Sequence, residues 1–91
     1  MHDWQAKVFD SDLRGSDRAV ALALANSAGP TGASALLLEV IAKKAGLGKR
    51  QTQRVLAHLV EAGVLTRARS LVGPPVYTLQ AEALIERPDV A

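Results

Sequence analysis

Three side chains able to read a flat polar surface lie close together in this sequence: Arg50, Gln53 and Arg54. Arginine carries a rigid fork of N–H donors, and glutamine carries a donor and an acceptor side by side. Both can form paired hydrogen bonds with a base edge, Arg with guanine O6/N7 and Gln with adenine N6/N7. A spacing of i, i+3 and i+4 brings all three to the same side of a helix. Ala57 on that side is small and leaves room for close approach.

Other cations fall where they would hold a phosphate backbone. Lys49 and Gln51 occupy the first turn of the same helix, where free amides and the dipole already favour anions. Lys43 and Lys44 end the preceding helix, a position where cations also stabilise the helix C-terminus. Arg67 and Arg69 alternate in a run of β character, so they should point to one side of a hairpin and reach phosphate or an adjacent minor groove. The expected sites are therefore base contacts from Arg50, Gln53 and Arg54, and backbone contacts from Lys43, Lys49, Gln51, Arg67 and Arg69. His58, on the edge of the polar face, reads as a solvated side chain.

Charge is distributed to match. Net charge is +2 overall, yet residues 43–69 hold seven basic residues and a single acid, Glu61, for a local +6; the remainder carries −4. One sign concentrated on part of a small domain suits a polyanion.

Other chemistries find little support. Cysteine is absent, which excludes a disulfide scaffold and a thiolate zinc site. His2 and His58 are far apart and no carboxylates cluster around either, so no metal or other cofactor is expected. The Ser residues lack a positioned base, and there is no glycine-rich phosphate loop. The expectation is a binding protein without catalysis. No apolar run approaches the roughly 20 residues of a membrane span, and the N-terminus does not read as a signal peptide, so the expected location is cytoplasmic.

The elements that position these residues follow from pattern. At 91 residues, 48% of them hydrophobic, there is room for one small domain with a core. Residues 1–13 read as an irregular or short extended arm whose aromatics, Trp4 and Phe9, lie across the first helix. That helix opens at Ser16 as N-cap, with Asp17 suiting its positive end, and stops at Gly29-Pro30, Gly29 taking a positive φ. Residues 19–25 contain no polar side chain, so this helix is either central or shared with a partner subunit. A loop over 31–34 leads to a second helix ending at Ala45, where Leu38, Ile41, Ala42 and Ala45 form one buried stripe. Gly46-Leu47-Gly48 is a tight turn, with Gly46 left-handed and Leu47 in the core. The third helix runs from Lys49 to about Ala62. Its Thr52, Val55, Leu56, Leu59 and Val60 fall within an arc of about 140°. Runs 64–69 and 76–79 read as a two-stranded hairpin, and 81–86 as a short helix or the start of a linker reaching residue 91.

This pattern resembles a winged helix-turn-helix DNA-binding domain. The resemblance is carried by Leu38-x-x-Ile41-Ala42, Ala45-Gly46-Leu47-Gly48, Arg54-Val55-Leu56-x-x-Leu59-x-x-x-Gly63 and Tyr77-x-Leu79. It covers about residues 13–79. The chain looks most like MarR- and IclR-type regulators and is similar to domains of plasmid or phage replication and partition proteins. The resemblance implies a mainly α fold, a three-helix core with a C-terminal wing over 14–80, and sequence-specific binding of double-stranded DNA as a homodimer or on repeated sites. Candidate dimer surfaces are the 19–25 helix, the N-terminal arm and residues 81–86. Two positions depart from the pattern: Gly48 stands where Ser or Thr commonly caps the third helix, and Thr52 where an apolar residue is usual. The wing tip, 71–75, carries no charge, which suits packing on a partner or a wing held off the duplex. The competing reading is a winged-helix protein-interaction module, favoured if Arg50 and Arg54 are locked to Glu61 or Glu39.

Overall fold

The computed structural model describes residues 3–84. Four helices, α1 (Trp4–Phe9), α2 (Gly15–Ser27), α3 (Leu38–Ala45) and α4 (Lys49–Glu61), are combined with three short strands, β1 (Ala33–Ser34), β2 (Leu65–Ala68) and β3 (Val76–Leu79). A 3₁₀ turn, Ala81–Ala83, follows. This is a winged helix-turn-helix fold, mainly helical, with a small antiparallel sheet.

The N-terminal segment is not an irregular arm. Asp3 accepts a hydrogen bond from the Ala6 N–H at 3.0 Å, which caps α1 and satisfies an otherwise orphan donor. One face of α1 then buries Trp4 and Val8 against α2. Six residues are too few for an apolar period to stand out, so the helix was hidden in the sequence. Ser11 ends it: its buried hydroxyl donates to the Val8 carbonyl and accepts from the Leu13 N–H. Trp4 is in the core as expected, whereas Phe9 is 49% exposed and stacks under the Arg18 guanidinium.

Helix α2 is the centre of the molecule. Val20, Ala21, Ala23, Leu24 and Ala25 are buried, and the helix touches α1, α3, α4, β1 and β3. Burial of most of residues 19–25 explains the all-apolar middle, with Ala19 and Leu22 half-buried. It opens one residue before the expected cap, at Gly15, with Arg14 in the N-cap position and no side-chain cap bond. Its end also differs: Ala28 turns extended at ψ 138°, and Gly29 keeps an ordinary φ. The left-handed residue is instead Gly32, at φ +84°, packed under the Trp4 ring.

Gly32 leads into β1, a strand where the sequence predicts a loop. Ala33 and Ser34 pair antiparallel with Thr78 and Tyr77, making the sheet three-stranded in the order β1-β3-β2. Two residues in a Gly/Pro/Ser-rich stretch carry no period-2 signal. The predicted hairpin forms as β2 against β3, with Leu65 opposite Leu79 and Arg67 opposite Tyr77. Leu65, Tyr77 and Leu79 face the core with Leu24, Ile41, Leu56 and Leu59. Of residues 81–86, a single 3₁₀ turn lies in the described part; Ile85 and Glu86 fall outside it.

Candidate nucleic-acid interface

Helix α3 supplies the first half of the motif. Ile41 and Ala42 are buried, and Leu38 and Ala45 pack partly against the core, which fixes the helix by one stripe. It stops at Gly46, whose φ of +73° and ψ of +29° is the left-handed conformation that glycine adopts without strain. The Leu47 N–H then bonds back to the Ala42 carbonyl at 3.0 Å, and the half-buried Leu47 side chain packs against the core. The turn is thus as tight as the sequence indicated.

Gly48 caps α4 through its backbone alone, extended at φ −72°, ψ 159°, with no side-chain cap bond. Thr52 bonds back to this cap residue. Its N–H bonds the Gly48 carbonyl at 3.0 Å, and its hydroxyl donates to the same oxygen at 2.8 Å. The hydroxyl is thereby satisfied within the helix, and the fully buried side chain serves as an apolar contact. The polar residue at an apolar position therefore leaves no orphan group.

The rest of α4 divides cleanly. Thr52, Val55, Leu56 and Leu59 are buried and Val60 is half-buried, while Arg50, Gln51, Gln53, Arg54, Ala57, His58 and Glu61 are exposed. Arg50, Gln53 and Arg54 share the outer side. Among the described residues neither Arg50 nor Arg54 has a salt bridge or hydrogen bond, so neither is locked to Glu61 or Glu39.

Two side chains of the polar face are engaged. Lys49 Nζ lies 3.3 Å from Glu39 Oε1, tying the start of α4 to α3, with both side chains about 60% exposed. His58 Nε2 lies 3.3 Å from Asp17 Oδ2; it tethers α4 to α2. Lys44 donates to Asn26 Oδ1 at 2.8 Å, whereas Lys43 is exposed without a partner among the described residues. Neither Glu39–Lys49 nor Asp17–His58 was visible in the sequence, since each joins two helices across a turn or the core.

The hairpin stands beside α4. A cleft of about 480 Å³ is lined by Leu38, Gln53, Leu56, Ala57, Val60, Arg67 and Tyr77. It places Arg67 of β2 on the same concave surface as Gln53 and Ala57 of α4. Arg67 and Arg69 are both exposed, but β2 ends at Ala68, so Arg69 lies past the strand. The simple alternation expected of the two arginines does not extend that far. Among the described residues no three His, Asp or Glu side chains gather as a metal site, and no helix is long and apolar enough to cross a membrane.

A family model described as a helix-turn-helix domain matches residues 11–65. The matched span runs from two residues past α1 to the first residue of β2 and contains α2, α3, the 46–48 turn and α4 entire. No curated protein and no solved structure gives a significant match. With more than half of its length matched, and with the motif's turn and outward helix in place, the chain belongs to this helix-turn-helix domain family, whose members' fold suggests DNA binding.

Proposed function

We propose that the protein binds double-stranded DNA in a sequence-specific manner, without catalysis, with α4 in the major groove. Arg50, Gln53 and Arg54 read base edges, and Lys43, Lys49, Gln51, Arg67 and Arg69 hold the sugar–phosphate backbone on either side. The observation that carries this reading is the outer side of α4: three base-reading side chains together, two of them arginines with no carboxylate partner among the described residues. A module that only docked proteins would have no reason to leave these guanidinium groups unpaired. A single unit touches few base pairs, so useful specificity calls for a homodimer or an array on repeated sites. The biological setting is transcription regulation or the replication or partition of a plasmid or phage, in the cytoplasm.

Titrating the chain with random-sequence duplex across a salt series tests the reading. Four to six phosphate contacts give a log–log slope of about −4 to −5. Absence of binding at about 50 mM salt overturns it, because the phosphate term is strongest there. Selection of bound sites from a random duplex pool would then report the recognised sequence, and the spacing of any inverted repeat would report the assembly.

A further inference from the structure

The hairpin tip has no role in the contacts assigned above. Leu71 and Val72 are 105% and 88% exposed, against 54% for Leu37, the next most exposed large apolar side chain. The tip that carries them is restrained. Ser70 Oγ donates to the Val72 carbonyl at 2.6 Å, and Pro74 and Pro75 have fixed φ just before β3 begins at Val76. The charges of the hairpin segment are cationic: residues 62–81 contain no acid, and Arg67 and Arg69 precede the tip without a carboxylate partner among the described residues. Arg67 also shares the cleft with Gln53 and Ala57, so the hairpin flanks the outward side of α4.

We propose that Leu71 and Val72 form an apolar wedge that enters the minor groove adjacent to the major groove read by α4, unstacks a base step and bends the duplex. The inference rests on the DNA reading of α4. Apolar side chains carried on a cationic support suit this task, because the arginines hold the phosphates while the wedge replaces stacking with side-chain contact. Two side chains are far fewer than the 20–30 residues per side of a stable protein interface, but they are enough to wedge one step. Pyrimidine–purine steps open most readily, so the wedge would add preference at positions that no side chain of α4 touches.

The test uses the full chain and an end-labelled duplex of about 30 base pairs, either with one central TA step or with a stiff A-tract there. Energy transfer between the ends reports bending. The wild type is expected to bend the TA duplex by about 20–90° and to prefer it over the A-tract. The L71S/V72S variant is expected to bind the A-tract duplex within about threefold of wild type, since the phosphate contacts remain, while losing both bend and preference. L71K adds a cation at the tip. It should bind random duplex more tightly but bend less. A bend retained in both variants would assign bending to charge neutralisation and overturn the wedge. So would wild-type binding without bending, or a tip whose loss changes self-association in sedimentation and nothing on DNA. Failure of every protein to bind any duplex at about 50 mM salt would instead remove the underlying DNA reading.

Discussion

Lys49 Nζ sits 3.3 Å from Glu39 Oε1, so the first cation of α4 is shared with a carboxylate on α3 before any phosphate arrives. Both side chains are about 60% exposed, and an exposed pair of this kind contributes at most about 1 kcal/mol to stability. In the proposed complex Glu39 instead competes with DNA for Lys49. Glu39→Gln should therefore leave thermal unfolding nearly unchanged and tighten binding to random duplex by a few-fold at low salt, with a log–log salt slope steeper by up to about one. Unchanged affinity in E39Q would remove Lys49 from the phosphate contacts.

Arg54 faces outward one helical turn from Arg50, and replacing it separates base reading from mere attraction. For a base-reading Arg54, Arg54→Ala costs roughly 1–3 kcal/mol on the selected site and relaxes preference at one base position. Arg54→Lys restores the charge but not the fork, so it recovers affinity for random duplex without recovering that preference. A uniform loss over all sequences in both variants would make Arg54 a phosphate contact.

Much of the fold was legible because long periodic elements announce themselves. Helix α4 was readable from Val55, Leu56 and Leu59 on one side and Arg50 and Arg54 on the other, and the 46–48 turn from two glycines around Leu47. The outward side of α4 could be placed from the sequence for the same reason. What stayed hidden was short or non-local. α1 has six residues and β1 two, below the length at which a period can be seen, and both form because α2 and β3 offer them a surface. The contacts of Lys49 with Glu39 and of His58 with Asp17 join residues on separate helices, where no spacing rule applies. Gly29 and Gly32 illustrate a further limit. Either could have taken the left-handed turn after α2, and the close seat of Trp4 accompanies the choice of Gly32.

That seat makes Gly32 more sensitive to substitution than the turn glycine of the motif. At Gly46 a Cβ would meet nothing within 4 Å, so Gly46→Ala pays only the left-handed torsion, about 1–2 kcal/mol. At Gly32 the same torsion applies, and a Cβ would also lie 2.8 Å from Trp4 Cζ2. Gly32→Ala is expected to destabilise by more than G46A in denaturant unfolding and to shift Trp4 fluorescence as the ring is displaced. Equal losses in the two variants, with unaltered fluorescence, would mean that α1 does not hold Trp4 against Gly32.

Thr52 offers a test of how α4 is built rather than of what it touches. Its hydroxyl donates to the Gly48 carbonyl, an oxygen that already accepts the Thr52 N–H. Removing the hydroxyl leaves no orphan acceptor, and the side chain is fully buried. Thr52→Val should thus change stability by no more than about 1 kcal/mol, because a lost hydrogen bond is offset by a gained methyl in the core. Thr52→Ala removes the methyl as well and should cost more, about 1–2 kcal/mol. If T52V proved the more damaging of the two, the hydroxyl would be holding the first turn of α4 in place of the missing Ser or Thr cap. The Gly48 end of the helix would then fray in that variant, with faster exchange of the Thr52 amide, which bonds the Gly48 carbonyl, than in the wild type.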